Sequence, residues 1–201
     1  RDRNATLHTR MQVMVTMDVL HEIAGHASDG PGWGLDGGLR TGFGDEWLQV
    51  GPVKIFSDGS LLGTTAALSE NYACCSHHGY FQGDPEQMRT RALQAANSGW
   101  SLAIHAIGDA AVDFAIETLE EAVAKHGVPT MPHRIEHGGV VRPDQIERLR
   151  GKPIVVVPQP LFIRAFGDAM ADALGPERTA WSYPGKRLLD ASLIPVSYTH
   201  L

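Results

Sequence analysis

Apolar positions recur along the chain with two periods, one of two residues and one of three to four, and the switches between them mark out its elements. From Ser101 to Asp109 the order Ser-Leu-Ala-Ile-His-Ala-Ile-Gly-Asp puts Ser101, Ala103 and His105 on one face of a strand and Leu102 and Ile104 on the other. The second face is apolar and suited to packing under helices. Ala110 to His126 then carries Val112, Ile116, Leu119 and Val123 as a helical stripe, with Asp109 where a helix N-cap is wanted. His133-Arg134-Ile135-Glu136-His137, closed by Gly138-Gly139, repeats the pattern, so two consecutive strand-helix units each finish on a histidine.

The remaining segments follow the same rules. Met11, Val13 and Val15 alternate within residues 10–16 and predict a strand, residues 18–24 a short helix, and the glycine-rich residues 28–44 a loop. Gly51-Pro52 precedes the strand Val53-Lys54-Ile55-Phe56-Ser57, which runs into Asp58-Gly59-Ser60 with Lys54, Phe56 and Asp58 on one face. Met88, Ala92, Leu93 and Ala96 predict a helix over 84–98 that stops at Gly99. Pro143 to Leu149 reads as a helix begun by proline, and the β-branched run Ile154 to Val157 as a strand buried on both faces, with Gln159 and Phe162 at its end. A helix near 186–191 and the start of a strand over 193–196 complete the pattern.

Strand and helix therefore alternate five or six times with no break in composition, which predicts an α/β fold with parallel strands and outer helices in a single domain over 1–201. The architecture expected is an incomplete (β/α)8 TIM-type barrel, because a closed one takes about 250 residues. The chain is accordingly expected to be a fragment, lacking the N-terminal strands and the end of the last strand, inactive and poorly stable alone. An incomplete barrel leaves strand edges unpaired.

The ends of parallel strands meet at one rim, where such folds build their sites, so His105 and His137 are expected to converge there. Neutral imidazoles that converge are natural ligands for a divalent transition metal. Lys54 also needs an explanation, since a lysine inside an apolar strand is costly unless paired or modified. Cys74-Cys75-Ser76-His77-His78 superficially resembles a metal motif, but ligands crowded into five residues can rarely all face one ion, and a polar loop is expected. Adjacent cysteines suit a reducing compartment, and with no signal-peptide pattern a cytoplasmic location is the expectation. A net charge of -6 gives no basic footprint for nucleic acid or an anionic membrane surface, and no apolar run reaches spanning length.

Gly-Pro-Val-Lys-Ile-Phe-Ser-Asp-Gly-Ser at 51–60, His-Ala-Ile-Gly-Asp-Ala-Ala at 105–111, Arg-Ile-Glu-His at 134–137 and Pro-Gln-Pro at 158–160 stand in an order and spacing that resemble the amidohydrolase superfamily of metal-dependent hydrolases. Within it the chain resembles the branch that includes N-substituted formamide deformylases. The resemblance implies a carboxylated lysine on the fourth barrel strand that bridges two metals, with histidines of the fifth and sixth strands as ligands. Those roles fall on Lys54, His105 and His137. Zinc, as one or two ions, is the metal implied.

Two features of the family pattern are missing: the His-x-His pair of the first strand and the aspartate of the eighth, a ligand that also serves as proton-transfer base. The catalytic base is thus left unassigned. Pro195 to Leu201 looks like translated adaptor sequence, so His200 is not recruited as a ligand. Asp58, Arg134 and Gln159 are the substrate-binding candidates, with Arg134 and Glu136 expected to alternate away from His137 and to pair behind the rim. Asp58 rivals Lys54 as the metal ligand because it lies nearer the strand's end, Lys54 being about 13 Å deeper. Lys54 is preferred, since carboxylation would resolve the cost of its burial.

The reading is a hydrolase that cleaves a small-molecule C-N bond, of amide or formamide type, with metal-activated water. Hydrolysis of a cyclic amide, a deamination or ester hydrolysis are rivals on the same barrel, and a non-catalytic small-ligand-binding barrel is a rival of another class. The partners considered are a small-molecule amide substrate and a second copy of the chain in a homodimer.

Overall fold

The computed structural model describes residues 8–23 and 32–193. Its strands are β1 (Met11–Thr16), β2 (His21–Ile23), β3 (Gly32–Gly34), β4 (Leu48–Phe56), β5 (Leu102–Ala106), β6 (His133–His137) and β7 (Ile154–Val157). Its helices are α1 (Pro85–Asn97), α2 (Asp109–His126), α3 (Pro143–Leu149), α4 (Leu161–Thr179) and α5 (Gly185–Asp190). Five strands form one parallel sheet in the order β1-β4-β5-β6-β7. Right-handed crossovers through helices are the usual way to join such neighbours, and α1, α2 and α3 connect them here.

The register fixes two faces. Lys54 lies opposite Ala103, which lies opposite Arg134, and that opposite Val155; one layer nearer the strand ends, Phe56, His105, Glu136 and Val157 are in register. The other face carries Val53, Ile55, Leu102, Ile104, Ala106, Ile135, Ile154 and Val156, all buried in one core with Ala92, Ala95, Val112, Ile116 and Leu119 of the helices. This apolar face is what the period-two alternation anticipates, and its burial against the helices holds the sheet. A second core lies over the strand ends, where Leu61, Leu68 and Tyr72 of the β4-α1 connection pack with Ile107, Met170, Leu174 and Tyr183.

Several elements differ from the sequence pattern. Residues 18–24 are not a helix: a 3-10 turn at Met17–Val19 leads into β2, and Ala24 lies outside the described residues. Within the glycine-rich 28–44 segment, whose first four residues are also outside, β3 pairs antiparallel with β2. Tertiary contacts outweigh the glycines, since Trp33 N–H donates to Ser98 Oγ at 2.8 Å and Trp100 Nε1–H to the Trp33 carbonyl at 3.0 Å. Gly51-Pro52 falls inside β4, where the pairing with β1 slips between Val13 and Val15; a bulge tolerates the missing proline N–H. Helix α4 was hidden by its own breakers, Gly167 and Gly175-Pro176, and the backbone does kink at Gly175, with φ +76°. Asp109 is the first residue of α2, and the N-cap is Gly108. Leu193 is not in a strand, and 194–196 lie outside the described residues.

Candidate active site

β5 and β6 deliver their histidines to the same rim by different backbone routes. His105 stands on the inner face by simple alternation. His137 is in register with Ala106 and would face the helices, but its φ of +76° lies in the left-handed region and turns the side chain back. The two rings end 4.6 Å apart, centroid to centroid, at 72°. A non-glycine residue in this conformation persists only where its surroundings over-determine it, and such residues concentrate at functional sites.

Partners set the tautomer of each ring. His105 Nε2 lies 2.9 Å from the Gly59 carbonyl, which can only accept, so Nε2 carries the proton and Nδ1 keeps its lone pair. Gln159 Nε2–H donates to the Val157 carbonyl at 2.8 Å, which leaves Gln159 Oε1 as an acceptor facing His137 Nδ1. His137 therefore carries its proton on Nδ1 and its lone pair on Nε2. Burial, helped by the neighbouring His105, pushes the His137 pKa down to about 4, so the ring is neutral at physiological pH.

Lys54 sits on the inner face with its ammonium 5.2 Å from the Phe56 ring centroid. Desolvation lowers its pKa to about 8, against the opposing pull of Glu136. An amine so poised has an appreciable uncharged, nucleophilic fraction in mildly alkaline water. Arg134 Nε donates to Glu136 Oε1 at 2.6 Å, so these two do pair. They do so on the inner face and not behind the rim, Glu136 in the layer of His105 and Arg134 one layer deeper, opposite Ala103. The left-handed turn at His137 is the reason alternation misplaced them. Glu136 is fully buried, and its Oε2 has no hydrogen-bond partner among the described residues.

Asp58 occupies a different position from a free rim carboxylate. Its Oδ2 accepts the Ala67 N–H at 3.0 Å and the Gly108 N–H at 2.8 Å, and its Oδ1 accepts the Ile107 N–H at 3.1 Å and lies 3.3 Å from His105 Nε2. It thereby ties the β4-α1 connection to the turn after His105. That approach is so close that a Cβ on Gly108 would lie 1.9 Å from the Ala67 carbonyl oxygen. Ser57 Oγ donates to the His105 carbonyl and reinforces the same junction.

A second anchor is Asp109, which the sequence pattern marks only as a helix N-cap. The buried Asp109 carboxylate accepts Ser69 N–H at 3.0 Å and Ser69 Oγ–H at 2.5 Å, and pairs with Arg142 at 2.9 Å. Its signal was the acidic residue opening a helix directly after a histidine-tipped strand. Cys74 and Cys75, with sulfurs 3.1 Å apart and both free, lie in the connection above, and His77 Nδ1 is 3.3 Å from the Gly79 N–H. This is the polar loop expected.

A cavity of about 430 Å³ beside the rim is lined by Thr16, Lys54, Phe56, Asp58, Gln82 and Arg91, among others. No set of three or more His, Cys, Asp or Glu residues is grouped to hold a metal among the described residues. The donor set here is two imidazoles with free lone pairs beside one reactive amine. That suits part of a transition-metal ligand set and is short of a whole one. No described helix is long and apolar enough to cross a membrane.

The profile of the amidohydrolase family matches residues 4–198. The chain belongs to the amidohydrolase family. It is 35% identical over 151 residues to Protein LONG AFTER FAR-RED 3 of Arabidopsis thaliana, covering 74% of this chain and 26% of that protein. Its backbone is similar to the crystal structure of an uncharacterised metal-dependent hydrolase from Pyrococcus horikoshii OT3, with TM-score 0.66 and 35% identity over 77% of this chain and 30% of that one. A Pyrococcus furiosus protein described in the same terms gives TM-score 0.65 and 34% identity over 77% of this chain and 31% of that chain. The chain thus spans about a quarter to a third of the relatives it matches. The parallel sheet and its outer helices are consistent with a partial TIM-type barrel.

Proposed function

We propose that the chain supplies one side of the active site of a metal-dependent hydrolase that cleaves a C-N bond of amide or formamide type in a small molecule. The observation that carries this reading is the meeting of His105 and His137 at the rim, each with one nitrogen held by a fixed acceptor and the other free. The description of the Pyrococcus horikoshii protein as a metal-dependent hydrolase supports it. Lys54, His105 and His137 are the residues that would hold the metal, as one or two ions, with Lys54 as its carbamate and zinc the ion best suited to imidazole and oxygen donors. Zinc bound there supplies a water of lowered pKa and a Lewis acid for the substrate carbonyl.

The chain's own residues do the rest. Gly59 and Gln159 hold the two rings so that their lone pairs need no reorganisation. Asp58, committed to three backbone N–H groups, organises the connection over the rim, which favours Lys54 over Asp58 as the ligand. Glu136 and Arg134 set the field around the Lys54 amine, which lies over the Phe56 ring. None of the described residues is assigned as the base that hands a proton to the leaving amine.

The test is a screen of the full-length, zinc-reconstituted protein against N-substituted formamides, linear amides, lactams, aminated heterocycles and carboxylic esters, with products identified by NMR. Release of amine and carboxylate from an amide or formamide, lost on chelation and restored by zinc, is the expected result. Turnover of esters alone, or turnover indifferent to chelator, would overturn it.

A further inference from the structure

We infer that Gln159 is a positioning residue for His137, which it holds in the Nδ1–H tautomer so that Nε2 is the nitrogen presented at the rim. Gln159 follows β7 and is 8% exposed, so its amide has little water to turn to. Both ends of that amide are engaged. Nε2 donates to the Val157 carbonyl two residues back at 2.8 Å, and Oε1 meets His137 Nδ1. The opposite amide orientation would set Oε1 against the Val157 carbonyl, two acceptors in contact, and is excluded by that clash. The Val157 carbonyl thus orients Gln159, and Gln159 orients the ring.

The hydrogen bond answers a specific need. His137 leaves the strand in a left-handed conformation, and the ring has no hydrogen-bond partner among the described residues besides Gln159. Without it, the imidazole could exchange tautomers and offer either nitrogen. The strand β7 and strand β6 are hydrogen-bonded neighbours, with Glu136 opposite Val157, so the clamp spans two adjacent strand ends and is rigid. An amide in this place also explains why a buried glutamine, and not an apolar residue, stands there.

This inference rests on the metal-site reading for its purpose, but its geometry can be tested without metal. Imidazole nitrogens of the metal-free protein, labelled with 15N at histidine, report the tautomer of each ring directly. His137 is expected to show a protonated Nδ1 and a bare Nε2. His133, whose Nδ1 accepts the Leu102 N–H at 3.0 Å, is expected to show the reverse and serves as an internal marker of an intact fold. Gln159→Leu removes the acceptor and should convert His137 to a mixture or to the Nε2–H form while His133 is unchanged. Gln159→Glu, held protonated by its burial, can donate to the Val157 carbonyl through its hydroxyl and accept from His137 Nδ1 through its other oxygen, and should retain the wild-type His137 pattern, so the idea stays testable if the leucine variant does not fold. Zinc affinity, titrated on the same samples, should fall about tenfold to a hundredfold in Gln159→Leu and much less in Gln159→Glu. An Nε2–H wild-type His137, or a His137 signal indifferent to Gln159→Leu, would overturn the assignment. A correct tautomer in a full-length protein that takes up no zinc would instead overturn the metal reading and leave the clamp standing.

Discussion

The imidazoles of His105 and His137 stand 4.6 Å apart although their strand positions point to opposite faces of the sheet, and the left-handed backbone at His137, φ +76°, is what brings them together. Alternation accounts for one histidine and its local violation for the other.

That conformation has a measurable signature. A side chain other than glycine disfavours it, so His137→Gly should be more stable than His137→Ala by about 1 kcal/mol, the reverse of the usual order for a strand. Chemical denaturation of the two variants compares them directly. An alanine variant as stable as the glycine one would contradict the backbone described.

His133 gives an acid-stability test away from the rim. It is 2% exposed and its pKa falls to about 4 on burial, from 6.5 in the unfolded chain. Between those values the unfolded chain binds more protons, so the contribution is fully present above pH 6.5, declines as pH falls, and is gone below about 4. The neutral ring's contribution is on the order of 3 kcal/mol. His133→Gln, which can still accept the Leu102 N–H, should flatten the stability profile between pH 6.5 and 4 relative to wild type, read by denaturation at several pH values. An unchanged slope would contradict a neutral buried ring.

Much of this was legible in the residues. The strands at 102–106, 133–137 and 154–157 follow from alternation and β-branching, and α3 from its opening proline, because local pattern and burial agree there. The β2-β3 pair and α4 were not legible. Their glycines argue for loop, and only packing against Trp100 and over the strand ends resolves them. At the site, the spacing of His105 and His137 pointed to the rim, but nothing in a linear pattern announces a positive φ. The same turn is why Arg134 and Glu136 lie on the inner face when alternation set them apart from His137.

Asp58 should prove a structural residue first. Asp58→Ala would strand the N–H groups of Ala67, Ile107 and Gly108 without their acceptor, and should cost about 3 kcal/mol or more. Denaturation of the variant measures that loss, and increased proteolysis within residues 59–83 should accompany it as the connection loosens. A loss below about 0.5 kcal/mol, the range of an ordinary surface substitution, would contradict the role given to Asp58.

If Lys54 is the ligand preferred over Asp58, its amine should carry carbon dioxide. The full-length protein with zinc and 13C-bicarbonate should show a carbamate carbonyl resonance that Lys54→Ala lacks. Zinc retention in Lys54→Ala should be rescued in part by short-chain carboxylates. Full metal occupancy in Lys54→Ala without any additive would reverse the assignment.

As proposed ligands of one metal centre, His105 and His137 are best tested by elemental analysis of the full-length protein after exhaustive dialysis. Wild type should retain one or two equivalents of divalent metal, and His105→Ala and His137→Ala should each lose most of the ion they hold while remaining folded by circular dichroism. Equal metal content in the wild type and in the double variant, or none in either after growth with zinc, would contradict the account.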